Sequence, residues 1–191
     1  MPKEQDAPDP MTPLDILKAC CARTNGRYAL VNPFRLGEHV YATDGRICAR
    51  AAIEGEFPCP RKPPRAETLD WARDRYDADP APMPTIAPVA PKCEACGGKG
   101  ILTQKHSCGR REYDEECEEC MDGLDWFRMP LTDLGGVHIA AYFTALLVRF
   151  GARVHPMSDP KKRARSAVYW HCANGVSGLL MPVRTDPPRI R

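Results

Sequence analysis

The chain has 191 residues, a hydrophobic fraction of 43% and a formal net charge of +2. This length and apolar content suffice for one packed domain with an extra lobe. No stretch approaches the roughly 18 apolar residues of a membrane-spanning helix, and the near-neutral balance excludes a strongly basic nucleic-acid binder of the histone type.

The N-terminus, MPKEQDAPDP, is polar and has no apolar signal segment, so a cytoplasmic protein without membrane association is expected. Disulfides rarely persist in that compartment, and the ten cysteines are expected to be buried thiols, metal ligands or reactive groups. Charge is uneven along the chain: residues 91–125 are acidic and residues 149–191 basic. Most of the 20 prolines fall in residues 1–13 and 57–91, which read as tail and linker.

After a disordered tail (1–11), a helix is expected from Thr12. Thr12 is a cap, Pro13 suits the first turn, and Asp15 supplies an acid three residues on. Leu14, Leu17, Ala19, Cys20 and Cys21 form its apolar stripe, and Asn25-Gly26 is a stop signal. Short strands follow at Tyr28–Val31, His39–Thr43 and Ile47–Ile53, the last two joined by an Asp44-Gly45 hairpin turn. Residues 57–90 form the proline-rich linker. Within it, Leu69, Trp71, Ala72 and Tyr76 stand among charges, as a short helix packing on the core or a partner-binding segment.

Residues 91–125 carry the most specific signal. CEACGGKG starts at Cys93, and CEEC spans Cys117–Cys120. Two Cys-x-x-Cys pairs at this separation are a zinc pattern, because two intervening residues let both thiolates reach one metal. The glycines permit the tight turn and expose backbone N–H groups to the sulfurs. Cys93, Cys96, Cys117 and Cys120 are therefore expected to hold one structural Zn²⁺. Four thiolates close the tetrahedron and leave no position for catalysis. His106 and Cys108 lie between the pairs and offer a replacement ligand or part of a second site, although two ligands alone make a weak one. Glu112, Asp114, Glu115, Glu116, Glu118 and Glu119 crowd the second pair, a charge that repels phosphate and favours protein contact.

Residues 126–184 repeat the N-terminal plan. Trp126–Leu134 contains a strand leading back, and Ala140–Phe150 reads as an apolar helix ended by Gly151. Strand-like Ala152–Pro156, a polar loop SDPKKRARS, Ala167–Cys172, the turn Asn174-Gly175 and Ser177–Val183 follow, then a tail (185–191). GEHVYATDGRICARAAI stands beside RSAVYWHCANGVSGLLMPV: each has Val-Tyr, a turn with Gly and an apolar strand. Neither half alone buries enough surface to be stable, so 12–56 and 126–184 are expected to form one α+β domain of two helix-plus-strands half-repeats, interrupted by the insert.

Other candidates are thinner. Cys20, Cys21, Cys48, Cys59 and Cys172 show no ligand spacing and read as buried thiols. His171-Cys172 would point to opposite faces of a strand. No metalloprotease helix, nucleophile elbow or phosphate loop is present, so an enzyme is not expected.

The duplicated helix-and-strands plan resembles the domain of DNA sliding clamps of the bacterial polymerase III beta-subunit type. VYATDGRICAR resembles the clamp hairpin around its Thr-Asp-Gly turn, and GLLMPVR at Gly178–Arg184 resembles its C-terminal Met-Pro-x-Arg strand. The resemblance implies a non-enzymatic replication accessory protein that binds duplex DNA non-specifically, oligomerises, and docks replication proteins. It implies a client-peptide pocket near Leu179, Met181 and Pro182. The bacterial chain carries three such domains, so six copies of this one would close a comparable ring. Candidate phosphate contacts are Lys18, Arg23 and Arg149 on the helices and Lys161, Lys162, Arg163 and Arg165 in the polar loop. CEACGGKG also resembles the zinc-binding repeat of DnaJ-type chaperones; those carry four such repeats against two here, which implies a single zinc and no chaperone activity. The alternative is a zinc-stabilised interaction adaptor on a clamp-like fold that does not encircle DNA.

Overall fold

A computed structural model describes residues 11–22, 30–60, 73–84, 89, 91–121, 123–125 and 128–183. Arg23, the Asn25-Gly26 signal, Leu69, Trp71, Ala72, Trp126 and both chain tails up to 10 and from 184 lie outside the described residues.

The first helix, α1 (Pro13–Ala19), begins as its residues dictate. The Thr12 hydroxyl accepts the Asp15 N–H at 3.2 Å, and the Asp15 carboxylate accepts the Thr12 N–H at 3.3 Å. This capping box holds the Asp15 pKa below its ordinary value, through the Thr12 hydrogen bonds and, more weakly, the charges of Lys18 and Arg149. Ile16, Leu17 and Cys20 are buried, whereas Leu14, Ala19 and Cys21 are half-buried. Leu17 and Cys20 of the expected stripe are thus on the buried face, with Ile16 beside them in place of Leu14.

Three antiparallel strands follow: β1 (Phe34–Leu36), β2 (His39–Thr43) and β3 (Ile47–Ala51). Tyr28 and Ala29 are outside the described residues, and Leu30 and Val31 are not in a strand. Leu30 instead donates its N–H to the Thr43 carbonyl at 3.0 Å. The β2–β3 turn is built as expected on Asp44-Gly45. The Asp44 carboxylate accepts the N–H groups of Arg46 and Ile47 at 2.7 and 2.8 Å, and Gly45 takes φ +87°.

The second half supplies β8 (Leu131–Asp133), β9 (His138–Ala140), α2 (Ala141–Arg149), β10 (Arg153–His155), β11 (Val168–His171) and β12 (Ser177–Leu180). Gly151, at φ +63°, lets α2 end by bonding back to Val148. The polar loop contains one helical turn, α3 (Pro160–Arg163), capped by Asp159, whose side chain accepts the Lys161 N–H. The turn between β11 and β12 matches the first: Gly175 takes φ +86°, and Asn174 accepts the Val176 N–H at 3.4 Å.

All six long-range strands form one antiparallel sheet in the order β1-β2-β3-β12-β11-β10. The seam is β3 against β12, with Cys48 opposite Leu179 and Ala49 opposite Gly178. Both halves therefore enter the sheet as three consecutive strands following a helix, and they meet at their third strands. Val40 and Val168, in the middle strand of each half, are fully buried in the same core, while the adjacent Tyr41 and Tyr169 pack on the opposite face. Ile16 and Leu17 of α1, Phe143 and Leu147 of α2, and Ile47, Val154, Trp170 and Leu180 of the sheet all belong to that one core.

Part of the expected linker is built into the fold. Residues 73–81 strap the β10 edge through bridges Tyr76 to Met157 and Ala81 to Val154. Buried His155 lies between this strap and the sheet, 2.9 Å from the Asp77 carbonyl and 2.8 Å from the Arg73 guanidinium. The strap also shields the outer strand from pairing with another chain.

Gly178 is the tightest point of the seam. A Cβ there would lie 2.1 Å from the Cys48 carbonyl oxygen and 2.5 Å from the Trp170 ring. Gly178→Ala is expected to destabilise the domain by about 2 to 3 kcal/mol in chemical denaturation, as overpacked cores do; a change below about 0.5 kcal/mol, the scale of a neutral surface substitution, would show that the strands do not approach this closely.

Candidate metal centre

Residues 91–125 form a lobe of two small hairpins. β4 (Ile101–Lys105) pairs with β5 (Glu112–Glu116) as a projecting ribbon, and β6 (Cys120–Met121) pairs with β7 (Leu124–Asp125). Each Cys-x-x-Cys pair sits on the tight turn that opens a hairpin. The first turn, from Cys93, closes through Gly98 N–H to the Cys93 carbonyl at 3.0 Å and Lys99 N–H to the Cys96 carbonyl at 3.2 Å. The two turns are tied by Cys93 N–H to the Gly123 carbonyl at 2.8 Å and Cys117 N–H to the Gly100 carbonyl at 3.0 Å.

This arrangement brings the four expected cysteines together. Their sulfurs all lie within 4.8 Å of one another. Cys93 and Cys117 are 3.8 Å apart at sulfur, and Cys96 and Cys120 are 3.7 Å apart. Tetrahedral ligands at a metal–sulfur distance of about 2.3 Å have an edge of about 3.8 Å, so the four residues fit one metal ion. The sulfurs are far too distant to be disulfides, and all ten cysteines are free thiols. The Gly100 N–H reaches the Cys96 sulfur at 3.2 Å, as the glycine pattern anticipates.

The surroundings shift three of these thiols, and not all in the same direction. Burial opposes ionisation of Cys96, but N–H groups of Gly100 and Gly98 and the neighbouring thiols outweigh it and bring its pKa down to about 6. Burial and the adjacent sulfurs push Cys120 up to about 12, and burial also raises Cys117. A metal ion must therefore displace protons to bind.

Gly123 is the residue sequence reasoning missed. At φ +84°, a Cβ would lie 2.2 Å from the Gly98 carbonyl oxygen. The two turns pack backbone to backbone here. The signal was a glycine three residues after the second pair, less regular than the glycines after the first. Within the lobe, the buried apolar cluster consists of Cys93, Cys96 and Cys117, with Leu102 and Cys120 half-buried against it. So small a core does not hold a fold without a metal.

His106 and Cys108 are not brought to the metal centre; they stand at the exposed tip of the ribbon, 3.0 Å apart. Of the basic candidates, Lys18, Arg149, Lys161, Lys162 and Arg165 are exposed. Lys162 pairs with Asp159 at 3.3 Å. Arg163 is a structural group: its guanidinium donates to the Met157 carbonyl at 2.8 Å, the Gly135 carbonyl at 3.2 Å and the Asp77 carboxylate at 2.7 Å. Leu179 packs with Phe34, Tyr41, Cys48 and Tyr169 on the outer face of the sheet, Met181 is 51% exposed, and Pro182 is half-buried. A shallow cavity of about 290 Å³ nearby is lined by Arg73, Tyr169, His171, Cys172 and Gly175–Ser177, and by none of these three.

Elemental analysis of the purified chain is expected to find one metal equivalent, lost in Cys117→Ser. Chelation should make residues 91–125 protease-sensitive and leave the six-stranded sheet intact; collapse of both together would contradict a self-contained centre. Because thiols must lose protons to bind, metal affinity should fall as pH falls from 8 to 6, with protons released on binding, as calorimetry in buffers of different ionisation enthalpy would register. Comparison with protein-family models, curated proteins and solved structures finds no match for this chain.

Proposed function

We propose that this chain is a non-enzymatic DNA-replication accessory protein on a sliding-clamp-like domain, carrying one structural Zn²⁺ in an inserted lobe. The observation that carries this reading is the sheet order β1-β2-β3-β12-β11-β10. Each half contributes a helix and three strands to one sheet, which supports the helix-plus-strands duplication of the clamp resemblance. The paired Val-Tyr positions and the two matching glycine turns add residue-level support. In this reading Lys18 and Arg149, near Asp15 on adjoining helices, and Lys161 and Lys162 on α3 contact phosphates without reading sequence. Zinc is the metal of choice for four thiolates in a closed tetrahedron.

A second reading, a zinc-stabilised adaptor that does not encircle DNA, is favoured by the surface of the lobe. Glu112, Asp114, Glu115, Glu118 and Glu119 are exposed beside Ile101 and Tyr113, which are 41% and 49% exposed. A metal centre with four thiolates adds two negative charges, so this lobe repels phosphate and suits a basic protein partner.

Sedimentation with duplex DNA separates the two. The clamp reading predicts an oligomer retained on duplex at low salt, with log K falling against log[salt] at a slope of about −3 to −4 per chain for four phosphate contacts. Lys18→Ala with Lys161→Ala should shallow that slope by about 2. A strict monomer with no retention at low salt would eliminate encirclement and leave the adaptor reading.

A further inference from the structure

Beyond the metal centre, six cysteines remain, and burial separates them sharply. Burial pushes the Cys20 thiol well above its ordinary range, Cys21 and Cys172 up to about 11 and Cys48 up to about 12. These four are poor nucleophiles near neutral pH. Cys59 and Cys108 are exposed. Among the described residues, the polar contact of Cys59 is the Pro60 carbonyl, 3.9 Å away. Cys108 has a very different setting.

The tip of the β4–β5 ribbon is a tight turn, closed by His106 N–H to the Arg111 carbonyl and Gly109 N–H to the His106 carbonyl, both at 2.8 Å. Gly109 takes φ +67°, which reverses the chain directly after Cys108. The turn fixes His106 Nδ1 at 3.0 Å from Cys108 Sγ. The same Nδ1 accepts the Cys108 backbone N–H at 3.3 Å. A ring nitrogen that accepts from an N–H carries no proton itself, and its one lone pair is shared between that N–H and the adjacent thiol. Exposed Lys105, Arg110 and Arg111 flank the pair along the chain at the ribbon tip, with Glu112 opposite Lys105. A base within hydrogen-bond reach, local positive charge and solvent access are the three features that make a thiol reactive.

We propose that Cys108 is a thiol-modification site, activated by His106, that exchanges with small-molecule disulfides. The Cys108 S–H proton passes to His106 Nδ1, and the sulfur attacks one sulfur of the disulfide. A new S–S bond forms to Cys108 as the disulfide's own S–S bond breaks. The departing thiolate takes the proton from the imidazolium and leaves as a thiol. Cys108 gives up two electrons and becomes a mixed disulfide, those electrons reduce the leaving sulfur to a thiol, and excess thiol reverses the step. The metal-bound thiolates are held in the closed tetrahedron and do not compete. This inference is independent of the clamp and adaptor readings.

The test uses the full chain loaded with zinc, treated with oxidised glutathione at pH 7, with adducts located by peptide mass spectrometry. Cys108 should react about fivefold faster than Cys59 in the same molecule, because a base within reach raises its thiolate fraction. His106→Gln keeps the size and polarity of the side chain but cannot take a proton. It should bring Cys108 within about twofold of Cys59 and move the pH–rate profile of Cys108 alkylation to higher pH. Metal content of one equivalent verifies that the variant lobe is folded, and Cys59 serves as the internal reference. Equal rates at the two cysteines in the parent chain, or a Cys108 rate and pH profile unchanged by His106→Gln, would overturn the proposal.

Discussion

The antiparallel contact between β3 and β12 is the interaction on which the architecture rests. It joins Ile47–Ala51 to Ser177–Leu180, strands from opposite ends of the chain, and converts two three-stranded halves into one sheet. Each half offers one apolar face, and neither buries it alone. Once joined, the sheet presents Val40, Ile47, Val154, Val168, Trp170 and Leu180 to a single core shared with both helices. The Trp170 ring lies across the seam, so the residue beneath it has no side chain. Gly178 is there for its lack of a Cβ, since its backbone φ is not in the left-handed region.

That topology also explains how the domain carries a metal lobe between its halves. Closure entropy grows only with the logarithm of loop length, so lengthening the connection between β3 and the second half costs little once β3 and β12 pair. The strap over 73–81 and the return through β8 and β9 pin both ends of the insertion to the core. Leu124 packs on that core, and Lys92 bridges to Leu124. The lobe itself is stabilised by different means. It has almost no apolar interior, and four sulfurs at tetrahedral spacing take the place of one. Its acidic flank and basic tip then lie on a rigid projection, where charge rather than apolar area decides what approaches.

Much of this was legible in the residues, and the gaps have physical causes. The Cys-x-x-Cys pairs picked out the four cysteines whose sulfurs converge, because a short spacing lets both thiolates of a pair face one point. The capping box at Thr12 and the Asp44-Gly45 turn were readable because each is a local hydrogen-bond device written in adjacent residues. β1 was misplaced: at three residues, Phe34–Leu36 is too short to show alternation, although Gly37 at φ +60° in the following tight turn was a usable hairpin signal. α3 reads as loop because three of its four residues are charged, yet Asp159-Pro160 is a cap followed by the favoured first helical residue. Arg163 looked like a free cation because sequence shows charge and not partners. Its carboxylate is Asp77 on the strap, far away in the chain, and its carbonyl acceptors come from two other turns. The strap was half legible: Tyr76 is expected in a short helix packing on the core, and a helical turn at Arg73–Arg75 followed by buried Tyr76 is found, but its pairing along the β10 edge is not readable from a proline-rich stretch.

Native-state hydrogen exchange in rising denaturant addresses the union of the halves most directly. If β3 and β12 depend on each other, amides of Phe34–Ala51 and of Arg153–Leu180 become exposed in one cooperative step, with the same free energy and the same denaturant dependence. Separate steps, with the N-terminal strands opening while the C-terminal ones stay protected, would mean two modules that merely touch, and the duplicated-domain account would fall.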